Sequence, residues 1–307
     1  MRILITGGAG FIGSHVTEYY QGRAEVRVLD NFRSGYPHNL KGMDAELIEG
    51  DICDPATVRR AINGVDVVYH LAALVSVPES VSKPEECRRI NIEGYLNVLE
   101  AAAAGGVRKV LFASSAAIYG NNPTVPKVET MKPEPLSPYA ATKLEGELHA
   151  DTFRRERGLP TACLRFFNVF GPRQDPRSAY AAAVPIFMEK ALRNEPLTIY
   201  GDGGQTRDFI YVKDIVGALV YLAGHPDLGG VYNAGYGGSI TISQLASTII
   251  RLADSKSEIR HAPGRAGDVR HSRASVEKLL GTGWLPAFTV EDGLDTTLAA
   301  LRATHAR

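Results

Sequence analysis

This amino-acid sequence predicts an α/β protein: a doubly wound parallel sheet joined to a smaller α/β unit. Three observations carry the prediction. Short aliphatic runs, apolar on both faces, alternate with amphipathic stretches of helical length through the first half of the chain. The stretches between successive runs are long enough for helical crossovers, which parallel strands require. After Asn168 the rhythm breaks into turn clusters, Gly171-Pro172 and Gly201-Asp202-Gly203-Gly204, with shorter runs between longer loops.

The elements follow in order. Arg2–Thr6 reads as a buried strand and Phe11–Gln21 as a helix; Glu25–Leu29 and Glu46–Glu49 are the next strands. Asp54-Pro55 opens a helix, with an N-cap carboxylate followed by proline in the first turn. Asp66–Leu71 is a fourth strand, and one long helix is expected from about Pro84 to Ala104, stopped by Gly105-Gly106. Lys109–Ala113 is a fifth strand. A helix from Pro138 to about Arg157, closed by Gly158 and Pro160, leads to the strand Thr161–Phe166. Val212–Tyr221 returns to the sheet as a helix. The expected units are residues 1–167 with about 212–234, and residues 168–211 with about 235–307.

Composition excludes several classes. The chain has 307 residues, 44% hydrophobic and 22% charged, near the globular average. Thirty-four basic against 34 acidic residues give zero net charge, which does not suit a general nucleic-acid or anionic-membrane surface. The three cysteines, Cys53, Cys87 and Cys163, are odd in number and far apart. That favours reduced cytosolic thiols over a disulfide framework or zinc site, and no metal is expected. No apolar run approaches the ~18 residues of a membrane span, and early glycines interrupt any leader-like segment.

Gly7, Gly10 and Gly13 stand at G-x-x-G-x-x-G spacing between the first strand and the helix it enters. The missing side chains let a pyrophosphate approach backbone N–H groups at a helix N-terminus. Asp30 ends the second strand, 17 residues after Gly13, where a carboxylate accepts from both ribose hydroxyls and repels a 2′-phosphate. NAD is therefore favoured over NADP, although nearby Arg33 works against that preference. Asp51, after the third strand, either reads an adenine amino group or is a plain helix-entry residue.

Tyr139-Ala140-Ala141-Thr142-Lys143 places a phenol and an ammonium on one helix face. A phenol near pKa 10 is a poor base; a neighbouring ammonium and a cationic nicotinamide would lower it enough to take a hydroxyl proton. Alone, the pattern is also consistent with a structural tyrosine beside a surface lysine. Ser114 and Ser115 end the fifth strand at the sheet edge where such folds bind ligands, though serines there are often only turn residues.

Taken in this order, the glycine turn, the acid, the serine and Y-x-x-x-K resemble the Rossmann-fold extended short-chain dehydrogenase/reductases, and more narrowly the nucleotide-sugar 4-epimerases. The resemblance covers nearly the whole chain, through segments such as His70–Ala73, Asn91–Gly94, Ser114–Gly120, Ser137–Lys143, Arg165–Pro172, Thr206–Phe209 and 265–268. It implies NAD as cofactor, held by the glycine turn with Phe11, Ile12, Asp30, Asn31, Asp51, Ile52, Leu71, Ala72, Ala73, Asn91, Ser114 and Phe166. It implies Tyr139 as catalytic acid and base, Lys143 on the nicotinamide ribose, and Ser115 on the sugar 4-oxygen. Asn168 would meet the diphosphate of a UDP-sugar, Arg207 and Arg265 would clamp it, and Asp268 would hold the uridine ribose. Surface ion pairing of the arginines with Asp208 and Asp268 is the competing reading. Val184 and Tyr200 would flank uracil, with Ser76 and Ser272 on the sugar side. A homodimer through the 85–104 and 138–157 helices is expected, unless Val98, Ala101, Ala102 and Leu148 are ordinary core.

Within that family, sugar-nucleotide 4,6-dehydratases carry Asp-Glu, and UDP-glucuronate decarboxylases usually a Glu, in the segment where this chain has Ala116-Ala117. Two alanines cannot do acid–base work, so chemistry at C4 alone is expected. Ser272 is small where glucose/galactose-restricted enzymes have tyrosine, which leaves room for an acetamido group, whereas Val75 narrows the pocket. The expectation is interconversion of UDP-glucose and UDP-galactose, with UDP-GlcNAc and UDP-GalNAc as a second or preferred pair. A UDP-glucuronate 4-epimerase, an NAD-dependent keto-sugar reductase and a catalytically silent dinucleotide-binding protein are the alternatives.

Overall fold

In the computed structural model, residues 1–176, 182–264 and 269–305 are described. The first half runs β1 (Arg2–Thr6), α1 (Phe11–Tyr19), β2 (Glu25–Asp30), β3 (Glu46–Glu49), α2 (Pro55–Ile62), β4 (Val67–His70), α3 (Val77–Ser82), α4 (Pro84–Arg88), α5 (Gly94–Ala104), β5 (Lys109–Ser115), α6 (Pro138–Glu156) and β6 (Thr161–Phe166). The second half runs β7 (Asn168–Phe170), α7 (Ala183–Leu192), β8 (Leu197–Tyr200), β9 (Thr206–Arg207), β10 (Phe209–Tyr211), α8 (Val212–Ala223), β11 (Gly230–Ala234), β12 (Ile240–Thr241), α9 (Ile242–Ala253), β13 (Ile259–Ala262), α10 (Glu277–Leu280) and α11 (Val290–His305).

Seven of these strands form one parallel sheet in the order β3-β2-β1-β4-β5-β6-β11. The order reverses between β1 and β4, which opens a crevice at the carboxyl ends of the strands. Alternation along β1 shows why both faces must be apolar. Leu4 packs into the layer of α2, α5 and α6 with Val58, Val98, Leu99 and Phe153. Its neighbours Ile3 and Ile5 pack into the opposite layer with Val16, Ile215, Leu219 and Leu222. Each such side chain is buried, worth about 1.5–3 kcal/mol apiece before entropy is charged against it.

A third core cluster belongs to the second half, where α7, α9 and α11 bury Val184, Phe187, Met188, Leu245, Ile249, Leu294 and Leu298 around Leu197, Ile199 and Phe209. Short strand pairs β7·β10, β9·β12 and β8·β13 tie this part together. It is not a wholly separate unit: Leu279 and Trp284, from the 235–307 stretch, pack beside Leu219 and Leu222.

Local chemistry explains most boundaries. The Asp54 carboxylate accepts from the N–H of Ala56 and of Thr57, and Ser137 accepts from the N–H of Ala140, so both helices start where expected. Three features differ from expectation. The helix expected over 84–104 contains a π turn at Arg89–Glu93, centred on Asn91. The helix α3 was not anticipated, although Ser76, three residues before Glu79, caps it by accepting from the Glu79 N–H. The strand β11, which extends the sheet beyond β6, was also not anticipated. No helix among the described residues is long and apolar enough to cross a membrane.

Candidate active site

A cleft of about 840 Å³ lies at the carboxyl ends of β1, β2, β4 and β5, with β7, α7 and β8 forming its far wall. Gly7, Gly10 and Gly13 line one end. Gly7 has φ +71°, and a Cβ there would sit 2.7 Å from the Ala72 nitrogen. A Cβ on Gly13 would lie 2.1 Å from the Gly7 carbonyl oxygen. The turn is thus packed so tightly that only glycine fits, and Gly10 opens α1 without a side-chain cap. Backbone donors at that helix start suit a pyrophosphate. Asp30 is 7% exposed and accepts from the N–H of Ala9 and of Phe32, 2.9 and 2.8 Å. Burial pushes its pKa up, and the two N–H bonds pull it back. Each carboxylate oxygen keeps further acceptor capacity for a ribose hydroxyl. Asn31, Asp51 and Ile52 line the same end; Asp51 accepts from the Cys53 N–H at 2.8 Å. This donor and acceptor set fits a dinucleotide.

The other end of the cleft carries Ser115, Tyr139 and Lys143. Ser137 and Pro138 fix the start of α6, so Tyr139 falls in its first turn and Lys143 one turn on. Lys143 is 4% exposed; its Nζ donates to the Ala113 carbonyl at 2.8 Å and lies 5.0 Å from the Phe112 ring centroid and 5.7 Å from that of Tyr139. Burial draws its pKa down to about 8. The Tyr139 phenol is pushed up by burial and pulled part of the way back by the neighbouring Ser115 hydroxyl. The expectation of a lowered phenol is therefore not met by the protein groups alone: desolvation outweighs them. Ser115 also accepts from the Ala117 N–H at 3.1 Å, which orients its hydroxyl. The carboxylates lining the cleft, among the described residues, are Asp30 and Asp51 at the glycine end and Asp175, which accepts from the Tyr36 hydroxyl at 2.6 Å.

Leu71, Ala72, Ala73, Ser114 and Phe166 also line the cleft, as do Phe11 and Ile12. Asn91 does not. Its amide accepts from the Leu74 N–H at 2.7 Å and donates to the Leu74 carbonyl and the Thr142 hydroxyl, both 3.0 Å. It stands one layer behind, bracing the 71–74 wall against α6; a buried amide needs such partners. On the far wall, Asn168, Val184, Tyr200 and Arg207 all reach the cleft. The Asn168 amide donates to the Asp208 carbonyl at 3.1 Å. Ser76 serves as the α3 cap and does not line the cleft. Ser272 is half-buried beside β9, its N–H donating to the Thr206 carbonyl at 3.1 Å, and it too is not part of the lining. Val75 is, at 60% exposure. Arg265 and Asp268, and the segment 179–181, lie outside the described residues.

Sequence reasoning missed several groups. Asp208 was weighed as an ion-pair partner of Arg207. Instead its carboxylate turns inward and accepts from the N–H of Tyr236, Gly237 and Ala274 at 2.8, 3.0 and 3.0 Å, with burial raising its pKa to about 6. It holds the Arg207 strand against two loops. Beneath the serines, Ser114 donates to Glu147 at 2.5 Å, and Glu147 pairs with Arg165 through contacts of 2.9 and 2.7 Å. Arg165 also donates to the Tyr119 hydroxyl at 2.9 Å. Two signals were available: a charge within an apolar strand demands a buried partner, and Glu147 lies four residues beyond Lys143 on the same helix face.

A family model described as "NAD dependent epimerase/dehydratase family" matches residues 3–235. The UDP-glucose 4-epimerase of Mycolicibacterium smegmatis is 36% identical over 98% of this chain and 99% of its own. A UDP-N-acetylglucosamine 4-epimerase from Methanobrevibacter ruminantium, solved with UDP-N-acetylmuramic acid, superposes with TM-score 0.95 at 38% identity, covering 99% of this chain and 98% of the other. A UDP-glucose 4-epimerase from Thermus thermophilus, solved with NAD, gives TM-score 0.90 at 39% identity over 98% and 99%. A decarboxylase and a 5,6-dehydratase are also similar to this chain. With a family model covering most of the sequence and full-length relatives above 35% identity, this chain belongs to the NAD dependent epimerase/dehydratase family, and its cofactor is NAD.

Proposed function

We propose that this protein is a UDP-sugar 4-epimerase that interconverts UDP-glucose and UDP-galactose, and also the N-acetylated pair. The observation that carries the reading is the grouping of Ser115, Tyr139 and Lys143 at one end of the cleft, with Ala116-Ala117 where dehydratases and decarboxylases need carboxylates. When bound, NAD supplies reversible hydride acceptance at the sugar C4. Tyr139 takes the 4-hydroxyl proton and returns it after the 4-keto sugar has turned over in the site. The Ser115 hydroxyl, beside the phenol, aligns that proton, and the Lys143 charge stabilises the phenolate as it forms. Arg207 faces the diphosphate, with Val184 and Tyr200 beside the base. Acceptance of an acetamido group rests on the small Ser272 of the sequence pattern, although that residue stands behind the lining, and Val75 on the lining sets the limit.

The test is an NMR time course on separate samples of UDP-galactose and UDP-N-acetylgalactosamine. Conversion of both supports the reading, and conversion of the first alone restricts it to hexoses. Conversion of neither, even with added NAD, would overturn it in favour of a uronate substrate or a catalytically silent dinucleotide-binding protein. Tyr139→Phe is expected to retain NAD and lose at least about 100-fold in kcat; unchanged turnover would remove Tyr139 from the mechanism. We also infer a homodimer built on the outer faces of α5 and α6. Val98, Ala101 and Ala102 are core, but Leu148 is 61% exposed on α6. Light scattering showing a stable monomer would reject it.

A further inference from the structure

Arg33 lines the cleft at the end that carries Asp30, three residues beyond it. An arginine just after the β2 carboxylate is the side chain that accommodates a 2′-phosphate in NADP-dependent relatives of this fold. Here it is directed elsewhere. The Asp30 carboxylate accepts from the Phe32 N–H, and the Asn31 side chain accepts from the Arg33 N–H at 3.1 Å. Phe32 between them adopts φ +56°, a left-handed conformation rare for a large side chain. This turn carries the guanidinium to the α3–α4 corner. There Nη1 donates to Glu86 Oε1 at 2.6 Å and Nη2 to Glu79 Oε1 at 2.8 Å. Lys83 stands between the two acids, 3.5 Å from Glu79 and 3.6 Å from Glu86. Both terminal nitrogens of Arg33 are thus held by carboxylates from two different helices.

We propose that Glu79 and Glu86 are cofactor-specificity determinants: by holding both arms of Arg33 they withhold from a 2′-phosphate the cleft-lining cation beside Asp30, leaving Asp30 to select NAD. Single exposed ion pairs are weak, but two carboxylates on one fork, linked by a lysine, form a network. A 2′-phosphate entering this corner would meet three carboxylates before it could recruit the arginine. The inference concerns the adenosine end alone, so it stands or falls independently of which sugar the enzyme turns over.

The test reads cofactor content, not activity. Wild-type protein, E79Q/E86Q, R33M and the triple variant are each equilibrated with equal excess NAD and NADP, and the bound dinucleotide is released by denaturation and quantified by mass spectrometry. Wild type and R33M are expected to hold NAD in the same large excess. E79Q/E86Q is expected to raise the NADP/NAD ratio about tenfold, the size of one new charge-assisted contact, and R33M in that background should abolish the gain. E86Q alone should shift the ratio in the same direction by less, which keeps the proposal testable if the double variant does not fold. An unchanged ratio in both glutamate variants would overturn the proposal. So would a gain that survives R33M, or a wild-type NADP share that falls in R33M.

Discussion

Replacing Lys143 by methionine removes an ammonium that the fold buries in order to place it under Tyr139. Its pKa falls from 10.5 to about 8, chiefly through burial. Between those values the unfolded chain binds more protons than the folded one, so stability rises with pH across that window. The charge is fully a burden below pH 8 and is relieved as pH climbs toward 10.5. At about 1.36 kcal/mol per pH unit, the burden is about 3 kcal/mol at pH 7 and about 1 kcal/mol at pH 9.5. The stability of Lys143→Met relative to wild type should therefore fall by about 2 kcal/mol between pH 7 and 9.5. Losing the bond to the Ala113 carbonyl lowers the variant by about 1 kcal/mol throughout and leaves that slope unchanged. Urea unfolding of the cofactor-free proteins at several pH values measures the difference. A gap that stays constant within about 0.5 kcal/mol would refute the argument that burial depresses this lysine. The variant should also be inactive, an instance of stability set against function.

Further outcomes follow from the same geometry. Glu147→Ala leaves Arg165 buried without its carboxylate and should cost about 3–5 kcal/mol, whereas E147L/R165M should recover most of that in a denaturation cycle. Gly13→Ala forces a methyl against the Gly7 carbonyl, so the protein should fold but bind NAD at least about tenfold more weakly, read by its dinucleotide content after purification. Ser115→Ala removes the hydroxyl that pulls the Tyr139 phenol down, so the acidic limb of the kcat profile should move to higher pH; an unmoved limb would argue against that influence in the working enzyme.

Much of the site was legible before any coordinates. The glycine spacing, Asp30 at the end of β2, and Tyr139 one helical turn before Lys143 are local patterns: a few consecutive residues fix the turn, the strand end or the helix face. The same holds for Asp54 and Ser137 as helix starts. Asn91 stands one layer behind the lining for the complementary reason. Its place in the sequence puts it near the cofactor wall, but the π turn aims its amide at Leu74 and Thr142, and nothing in residues 85–104 announces that turn. Asp208 entered the sequence reading only as a competing ion-pair partner for Arg207, whereas its partners are N–H groups of residues 236, 237 and 274.

The parallel sheet, the glycine turn and the placing of Tyr139 and Lys143 one helical turn apart were determined by the sequence alone, because strand polarity, helix periodicity and turn chemistry act over a handful of residues. Tertiary structure decided how those groups are tuned: the burial that lowers Lys143 and raises Tyr139, the Glu147–Arg165 pair beneath the serines, and the capture of Arg33 by Glu79 and Glu86. Desolvation and ion pairing depend on what the completed fold packs around a charge. Partners separated by tens of residues meet only once the sheet and its helices have closed over them.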